Sequence, residues 1–372
     1  LMRMVFLTVI VVLFQLCAYA VGRGLFWLIE PYLPSVRALV LAVTFVVSNA
    51  FLATLFFGQF RWGMGYLAVL WFGVLTMLII CAISAVLHKF GLMASMTGLG
   101  LGIRLLAVAT FSGLLGLSIY HAYTPTVRHL SIQLDKPMAH PVRLAMVSDL
   151  HLGSLFGSKQ LDRLAHILNE QKVDLLLMPG DIMDDDTEVY EAEGMQASFA
   201  GVVNATTSGV VASLGNHDLY DVDSRLAIAQ AVRATGALLL DDQVSVVVAN
   251  GVPLSIIGRY DDHVKDRKTT AQLFDQLPMA ARQNPVILLD HRPSQIDENI
   301  QLPIDVQVSG HTHNGQVFPA NFIVKMINRV AYGHAHIDGT HIIVSSGYGF
   351  WGIPFRLGSQ SEVWVIEMRG KD

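Results

Sequence analysis

The sequence predicts an α/β globular domain preceded by an all-α transmembrane domain of four helices. Three observations carry this. Mean hydropathy is +0.47 and 52% of the residues are hydrophobic, too apolar for 372 residues of ordinary soluble protein. The excess sits at the front: through Arg128 there are seven Lys and Arg against one acid, Glu30, and beyond it 18 basic against 29 acidic residues. In the second part, five short segments each end an apolar run with metal-binding side chains: Ser148-Asp149-Leu150-His151, Gly180-Asp181, Gly215-Asn216-His217-Asp218, Asp290-His291 and Gly310-His311-Thr312-His313.

The first domain, residues 1–123, holds four runs near the roughly 20 apolar residues that cross a hydrocarbon core as helix. They are Met4 to Val21, Val36 to Phe57, Tyr66 to Leu87 and Leu99 to Tyr123. Arg23, Pro31 and Pro34, then Gly58, Arg61 and Gly63, then His88 and Lys89 punctuate them. Gly98, Gly100, Gly102, Gly113 and Gly116 would permit close helix contacts in the fourth run, although glycine is also simply common in such helices. A competing reading makes the first run a signal peptide cleaved near Ala18-Tyr19-Ala20, but its apolar stretch exceeds the roughly 7 to 15 residues of such a signal. Leu1 is an alternative start or a boundary, and nothing depends on it.

These spans imply a multi-pass protein of a lipid bilayer, with the bacterial inner membrane as the expected location. Arg3, Arg61, Arg128 and Lys136 flank one face, and Arg23, Arg37, Lys89 and Arg104 the other, so the charge rule gives no orientation. Cys17 and Cys81 both fall in membrane runs, so no disulfide marks the compartment of the globular part.

Residues 124–141, with prolines at both ends of a polar patch, read as a linker with an opening strand. From 142 to 372 enough chain follows for one substantial core. The pattern there is strand, motif, helix, repeated. Arg143 to Val147 feeds Asp149, and Ser158 to Gln171 then sets Leu161, Leu164 and Leu168 on one helical face. Leu175 to Met178 leads to Asp181, Val210 to Leu214 to Asn216, Val286 to Leu289 to His291, and Val306 to Val308 to His311. Nearly uninterrupted apolar strands imply burial on both faces. Ligands of such sheets gather at the carboxyl ends of the strands, where every motif lies.

Two divalent cations about 4 Å apart need a shared carboxylate to offset their repulsion, and each needs further O or N ligands. The five segments supply that mixture. Any one of them alone is an ordinary turn or a structural histidine; five in this order are not.

Asp-x-His, Gly-Asp, Gly-Asn-His-Asp, His and Gly-His-x-His resemble the calcineurin-like metallophosphoesterase superfamily over Val142 to Glu367. The resemblance implies two central mixed sheets flanked by helices. It implies that Asp149, His151 and His313 hold a first metal, that Asn216, His291 and His311 hold a second, and that Asp181 bridges them. The pair of divalent ions would be Mn, Fe or Zn and would acidify a bound water toward a pKa of about 7. His217 would face the leaving oxygen as general acid, oriented by Asp218; an Asp after a turn is also a plausible helix cap.

The segment Gly180 to Asp186 lacks the Asp-Arg-Gly of phosphoprotein phosphatases, and Asp218 stands where those carry Glu. His311-Thr312-His313-Asn314-Gly315-Gln316 is more similar to the membrane-associated phosphodiesterase branch, with Asn314 in place of Gly. Gly347-Tyr348-Gly349 and Pro354-Phe355-Arg356 also resemble that branch. Bacterial enzymes that cleave the diphosphate of diacylglucosamine nucleotides are similar at these superfamily-wide motifs.

Arg356 is either a ligand for substrate phosphate or half of a structural salt bridge. His334, His336 and His341 read as surface or loop residues, of which His334 and His336 also suit a pocket lining. Between Gln316 and Gly339, Val317-Phe318-Pro319, Phe322-Ile323-Val324 and Met326-Ile327 with Lys325 and Arg329 read as a loop able to dip into a bilayer, or as a buried element on the core.

The acidic charge of this part repels long nucleic acid, while two cations would reverse it locally for small anions. The expected partners are the lipid bilayer and a phosphorylated small-molecule or lipid substrate. Two function classes remain: a membrane phosphohydrolase or phosphodiesterase, acting on a lipid-linked phosphoester or, alternatively, on soluble phosphoesters or nucleotides; and a membrane receptor with structural metals. The complete ligand set and His217 favour the enzyme.

Overall fold

The apolar runs of the front part are helices in the structure, a computed structural model that describes residues 2–54, 57, 60–91 and 99–371, with the side chains of 2–7, 60 and 99 outside the description. Leu1, Gly58 and Gly98 lie outside the described residues. The chain divides into two units, Leu1–Ile119 and Tyr120–Asp372.

The first unit holds the helices α1 (Met2–Ile29), α2 (Arg37–Thr54) and α3 (Phe60–Lys89) and, up to Ile119, α4 (Leu99–Tyr123), all four long and apolar enough to cross a membrane. Leu16, Leu39, Val46 and Leu105 point outward, each at least 59% exposed, the inverse of a soluble bundle. Polar groups pair internally instead: Gln15 Nε2 donates to Asn49 Oδ1 at 2.8 Å, and the hydroxyls of Ser48 and Tyr66 share a 2.6 Å bond. Close approach is made at Gly24, where an added methyl would lie 2.4 Å from Met77 Sδ, and at Gly73, 2.9 Å from Val21. The glycines expected to do this were those of the fourth run. Gly102, Gly113 and Gly116 instead face open space, and Gly100 meets only Arg104 of its own helix. Arg23, expected as a boundary, lies inside α1.

The second unit begins with β1 (Thr126–Gln133), β2 (Val142–Met146), α5 (Ser158–Gln171), β3 (Leu175–Pro179), α6 (Glu188–Ala192), α7 (Gln196–Asn204), β4 (Val210–Ser213), α8 (Val222–Ala234) and β5 (Leu238–Leu239). It continues through β6 (Gln243–Ala249), β7 (Val252–Gly258), α9 (Thr270–Gln276), β8 (Val286–Leu289), α10 (Ile296–Asn299), β9 (Val306–Ser309), α11 (Ala320–Ile327), β10 (Gly333–Ile337), β11 (Thr340–Val344) and β12 (Glu362–Arg369). Two mixed six-stranded sheets result, in the orders β1-β12-β2-β3-β4-β5 and β10-β11-β9-β8-β7-β6. Strands β2 to β5 run parallel, and β12 enters antiparallel to β2; β7, β8, β9 and β11 run parallel, with antiparallel β6 and β10 at the edges.

Strand periodicity of two sorts the core. Leu144, Met146, Leu175 and Leu177 of the first sheet meet Ile287, Leu289, Val306 and Val308 of the second in one buried cluster. The alternate residues Ala145, Val147, Leu176 and Met178 join Leu161, Leu164 and Leu168 of α5 and Phe199 of α7. Each fully buried leucine contributes roughly 1.5–3 kcal/mol. Burial on both faces explains why these strands read as continuous apolar runs, and their carboxyl ends are where the chain must turn and expose backbone.

Candidate metal centre

Each expected ligand occupies the loop after a strand: Asp149 and His151 after β2, Asp181 after β3, Asn216 after β4, His291 after β8, His311 and His313 after β9. Loop backbones cross-brace one another. Asp149 N donates to Gly180 O and His151 N to Asp181 O, both at 3.1 Å, and Gly310 N donates to His291 O at 2.9 Å. Asp149, His151, Asp181, His311 and His313 all have positive φ, between 47° and 67°. Left-handed backbone at non-glycine residues costs of order 1–3 kcal/mol each and clusters at functional sites. Five of seven expected ligands adopting it means the loops are shaped for where the side chains point.

The motif glycines serve approach. A methyl at Gly215 would lie 2.2 Å from Asp181 Oδ1, and one at Gly310 would lie 2.3 Å from Asp149 Oδ2. Only hydrogen fits there.

Two ligand groups result, each with ligand atoms within 4.8 Å of one another: Asp149, His151 and His313, the three residues expected for the first metal, and Asp181, His291 and His311, the expected bridge with two of the three residues expected for the second. His151 Nε2 and His313 Nε2 are 3.2 Å apart, and His313 Nε2 is 3.4 Å from Asp149 Oδ1. Nitrogen ligands at about 2.0–2.1 Å around a tetrahedral ion stand about 3.3 Å apart, so this spacing suits one cation. Asp181 Oδ2 reaches both groups, 3.1 Å from His291 Nε2 and 3.7 Å from His151 Nε2, the placement of a bridge.

The donor set fits a metal on its unpaired atoms as well. His291 Nδ1 is 2.8 Å from Pro179 O, a carbonyl that only accepts, so Nδ1 carries a proton there and the buried Nε2, without a hydrogen-bond partner, is the ring atom turned to Asp181. Asn216 Nδ2 donates to Tyr220 Oη at 2.7 Å, which fixes the amide with Oδ1 buried and without a hydrogen-bond partner. A buried orphan acceptor is costly unless a ligand meets it. Electrostatics agree. Burial pushes Asp149 up to about 6 and His151 and His311 down to about 3. Burial would also raise Asp181, yet the His291, His151 and His217 imidazoles hold it low. Positive charge is therefore favoured beside Asp181.

His217 stands at this cluster, its ring edge-to-face with His151 at 4.8 Å. The expected orienting residue is corrected. Asp218 does not touch the His217 imidazole: it is fully buried and accepts backbone N–H bonds from Ile182 at 3.1 Å and from Met183 and Gly215 at 2.9 Å. The residue at His217 Nδ1 is Asp185, at 2.5 Å. Burial disfavours protonated His217, but the Asp185 bond and the charges of Asp181, Asp185 and Asp218 outweigh it, and the imidazole is raised above its ordinary value. The acidic run Asp184-Asp185-Asp186 after the Gly-Asp motif was the available signal.

Arg356 is also corrected, on both readings. It is fully buried, and among the described residues it forms no ion pair. Its guanidinium donates to the carbonyls of Ser346 at 2.7 Å and Gly349 and to Ser359 Oγ at 3.2 Å, with Nη2 3.2 Å from His313 Nδ1. It clamps the Gly347–Gly349 turn under the first ligand group. Arg356→Met should therefore lower stability by about 3–5 kcal/mol, since each orphaned buried group costs roughly 1–3 kcal/mol. Denaturant midpoints measure this; an unchanged midpoint with a raised KM would restore the phosphate-ligand reading.

His334 and His336 do not line the centre. They stack on His341, at 5.2 and 4.2 Å between ring centroids, and His341 pairs with Val306 at the start of β9, whereas the metal loop leaves its other end. Asp290 also turns away from its neighbour His291, toward Arg259 and Arg267 at 3.2 Å each.

The calcineurin-like phosphoesterase family matches residues 142–315. An uncharacterized metallophosphoesterase of Helicobacter pylori is 30% identical over 254 residues, 67% of this chain and 65% of that protein, so the chain spans just under two thirds of this relative. A Bos taurus protein described as a transmembrane protein with metallophosphoesterase domain is 26% identical over 326 residues, 78% of this chain and 70% of its own. That share exceeds what residues 124–372 can supply, so the similarity runs into the apolar helices. An uncharacterized metallophosphoesterase of Aquifex aeolicus is 27% identical over 255 residues, 67% of this chain and 94% of that protein. With the ligand loops assembled at the carboxyl ends of the strands, residues 142–315 of the chain form a calcineurin-like phosphoesterase domain.

Proposed function

We propose that the chain is a multi-pass membrane phosphohydrolase, located in a bacterial inner membrane, that cleaves a phosphoester or diphosphate of a lipid with two divalent cations. The observation that carries this is the convergence of six ligand side chains from four loops, five of them on left-handed backbone, with the unpartnered Asn216 Oδ1 on a fifth loop. The residues of the two ligand groups would hold two cations, Mn, Fe or Zn, which would supply an acidified water as nucleophile and offset phosphoryl charge. Asp181 bridges the ligand groups. His217, proton-bearing and oriented by Asp185, donates to the leaving oxygen. Tyr220 holds Asn216 in its ligand rotamer, and Arg356 keeps the turn beneath His313 in place. The four apolar helices and the bovine relative described as transmembrane support the membrane part of the reading.

Purified full-length protein supplied with Mn2+ should hydrolyse an aryl phosphodiester or monoester, and chelation should remove that turnover until metal is restored. In mixed micelles a phospholipid or lipid diphosphate should be turned over with higher kcat/KM than the water-soluble ester. Preference for the soluble ester would discard the lipid substrate, and indifference to chelation would discard the metal chemistry.

A further inference from the structure

Helix α11 carries its amphipathicity inside out. Asn321, Val324 and Asn328 face inward, each half-buried, while Phe322, Ile323, Met326 and Ile327 are 55%, 52%, 77% and 73% exposed. With 3.6 residues per turn, those four fall in one stripe about 140° wide. Of the two expectations for this segment, the buried element is overturned. No residue of α11 is buried. Contiguous exposed apolar surface of this kind marks an interaction site.

The opposite face of α11 packs on the loop that carries His311 and His313. Gly315, two residues past His313, packs so closely on α11 that a methyl there would lie 2.2 Å from Asn321 N. Gln316 then ties this segment to Trp351, donating to its carbonyl at 3.0 Å and accepting from its N–H at 2.9 Å. The Trp351 indole is 6.5 Å from the His217 ring. Charge identifies the occupant. Residues 316–330 hold Lys325 and Arg329 and no acid, within a part of the chain where acids outnumber bases. Arg329 pairs with Asp297, and Lys325 lies exposed beside the stripe. An apolar stripe edged by an exposed lysine, in a segment without an acid, suits a helix lying in an anionic membrane interface.

We propose that α11 is such an interfacial helix: Phe322, Ile323, Met326 and Ile327 enter the acyl boundary of an anionic bilayer, Lys325 meets the headgroups, and the metal centre opens at headgroup depth. A lipid substrate then reaches the ligands without leaving the bilayer. Only this last step rests on the phosphohydrolase reading; the insertion of α11 does not require turnover.

The test places a polarity-sensitive fluorophore on Met326→Cys in full-length protein carrying Cys17→Ala and Cys81→Ala, reconstituted in phosphatidylcholine–phosphatidylglycerol nanodiscs. Val248→Cys on β6, 58% exposed, serves as the reference position, and Ile323→Cys as a second reporter. Metal bound per chain certifies each protein as folded. Acyl-brominated lipid should quench the labels at 326 and 323 severalfold more than the label at 248, and Lys325→Glu should reduce that difference. Equal quenching at all three positions overturns the proposal. So does a signal at 326 that responds to unlabelled copies of the protein rather than to brominated lipid, since a second copy would then cover the stripe. Because the fluorescence reads depth and not turnover, an inert protein can still support α11 insertion and an active one can still refute it.

Discussion

Asp181→Asn protein should fold like the wild type and lose turnover by more than a hundredfold together with most of its bound metal. The Asn oxygen can still accept the bond that His217 N makes to Asp181 Oδ1 at 2.9 Å, so the loop after β3 keeps its brace. What disappears is the negative charge between the two ligand groups. Asp181 Oδ2 is the atom within reach of both His291 and His151, and two cations about 4 Å apart repel without a shared anion. Changes one layer further out cost about 10–100-fold in metal affinity or activity, so loss of the bridge itself should exceed that range. Asn216→Ala should act in the same direction but on one ligand group only, leaving the Asp149, His151 and His313 group able to bind. Elemental analysis of metal per chain, read beside kcat, distinguishes the two variants. Full turnover and full metal content in Asp181→Asn would remove the metal mechanism altogether.

Much of this centre was legible because its signals are local. Each ligand follows a strand whose apolar run is nearly uninterrupted, and Gly180, Gly215 and Gly310 stand next to ligands for the close packing they permit. Helix α5 has the bounds its periodicity predicts, Ser158–Gln171. Other elements are set by partners far away in the chain. Strand β12 lies between β1 and β2, inserted from the carboxyl end, and no local pattern announces that. The hairpin of β6 and β7, turned at Asn250-Gly251, carries the ordinary hairpin signal, but no motif drew attention to it. The misread side chains share one cause. Asp218 and Arg356 stand in family motifs, yet both aim at backbone, Asp218 at three N–H groups and Arg356 at the carbonyls of Ser346 and Gly349. Sequence position shows which loop a residue is on; it does not show whether the side chain points to the reacting atoms or to the loop's own amides. Helix α11 is a different case: its residues announce an apolar segment, and only the fold decides which side of it faces out.

The exchange of roles between Asp185 and Asp218 makes the sharpest demand on mechanism. Asp185→Asn should reduce kcat by about 10–100-fold, the scale of losing a residue that orients a functional histidine, while leaving metal content and the denaturation midpoint unchanged. The Asp185 side chain is 55% exposed, and substitutions at such positions usually stay within about 0.5 kcal/mol. Asp218→Ala should behave oppositely. Its carboxyl, pushed up to about 7 by burial, is the acceptor for the N–H groups of Ile182, Met183 and Gly215. Each buried donor left without a partner costs roughly 1–3 kcal/mol. Those donors sit in the very loops that present Asp181 and Asn216, so stability should fall by several kcal/mol, lowering the midpoint, and metal should be lost along with it. His217→Ala calibrates the pair: it should cost about 10²–10⁴-fold in kcat with both metals retained, and Asp185→Asn added to it should cost little more, because a residue that acts through the imidazole has nothing left to orient. If Asp218→Ala instead kept its stability and lost only kcat, while Asp185→Asn remained fully active, the imidazole would have to be held by Asp218 after all, through a rearrangement of the loop after β4.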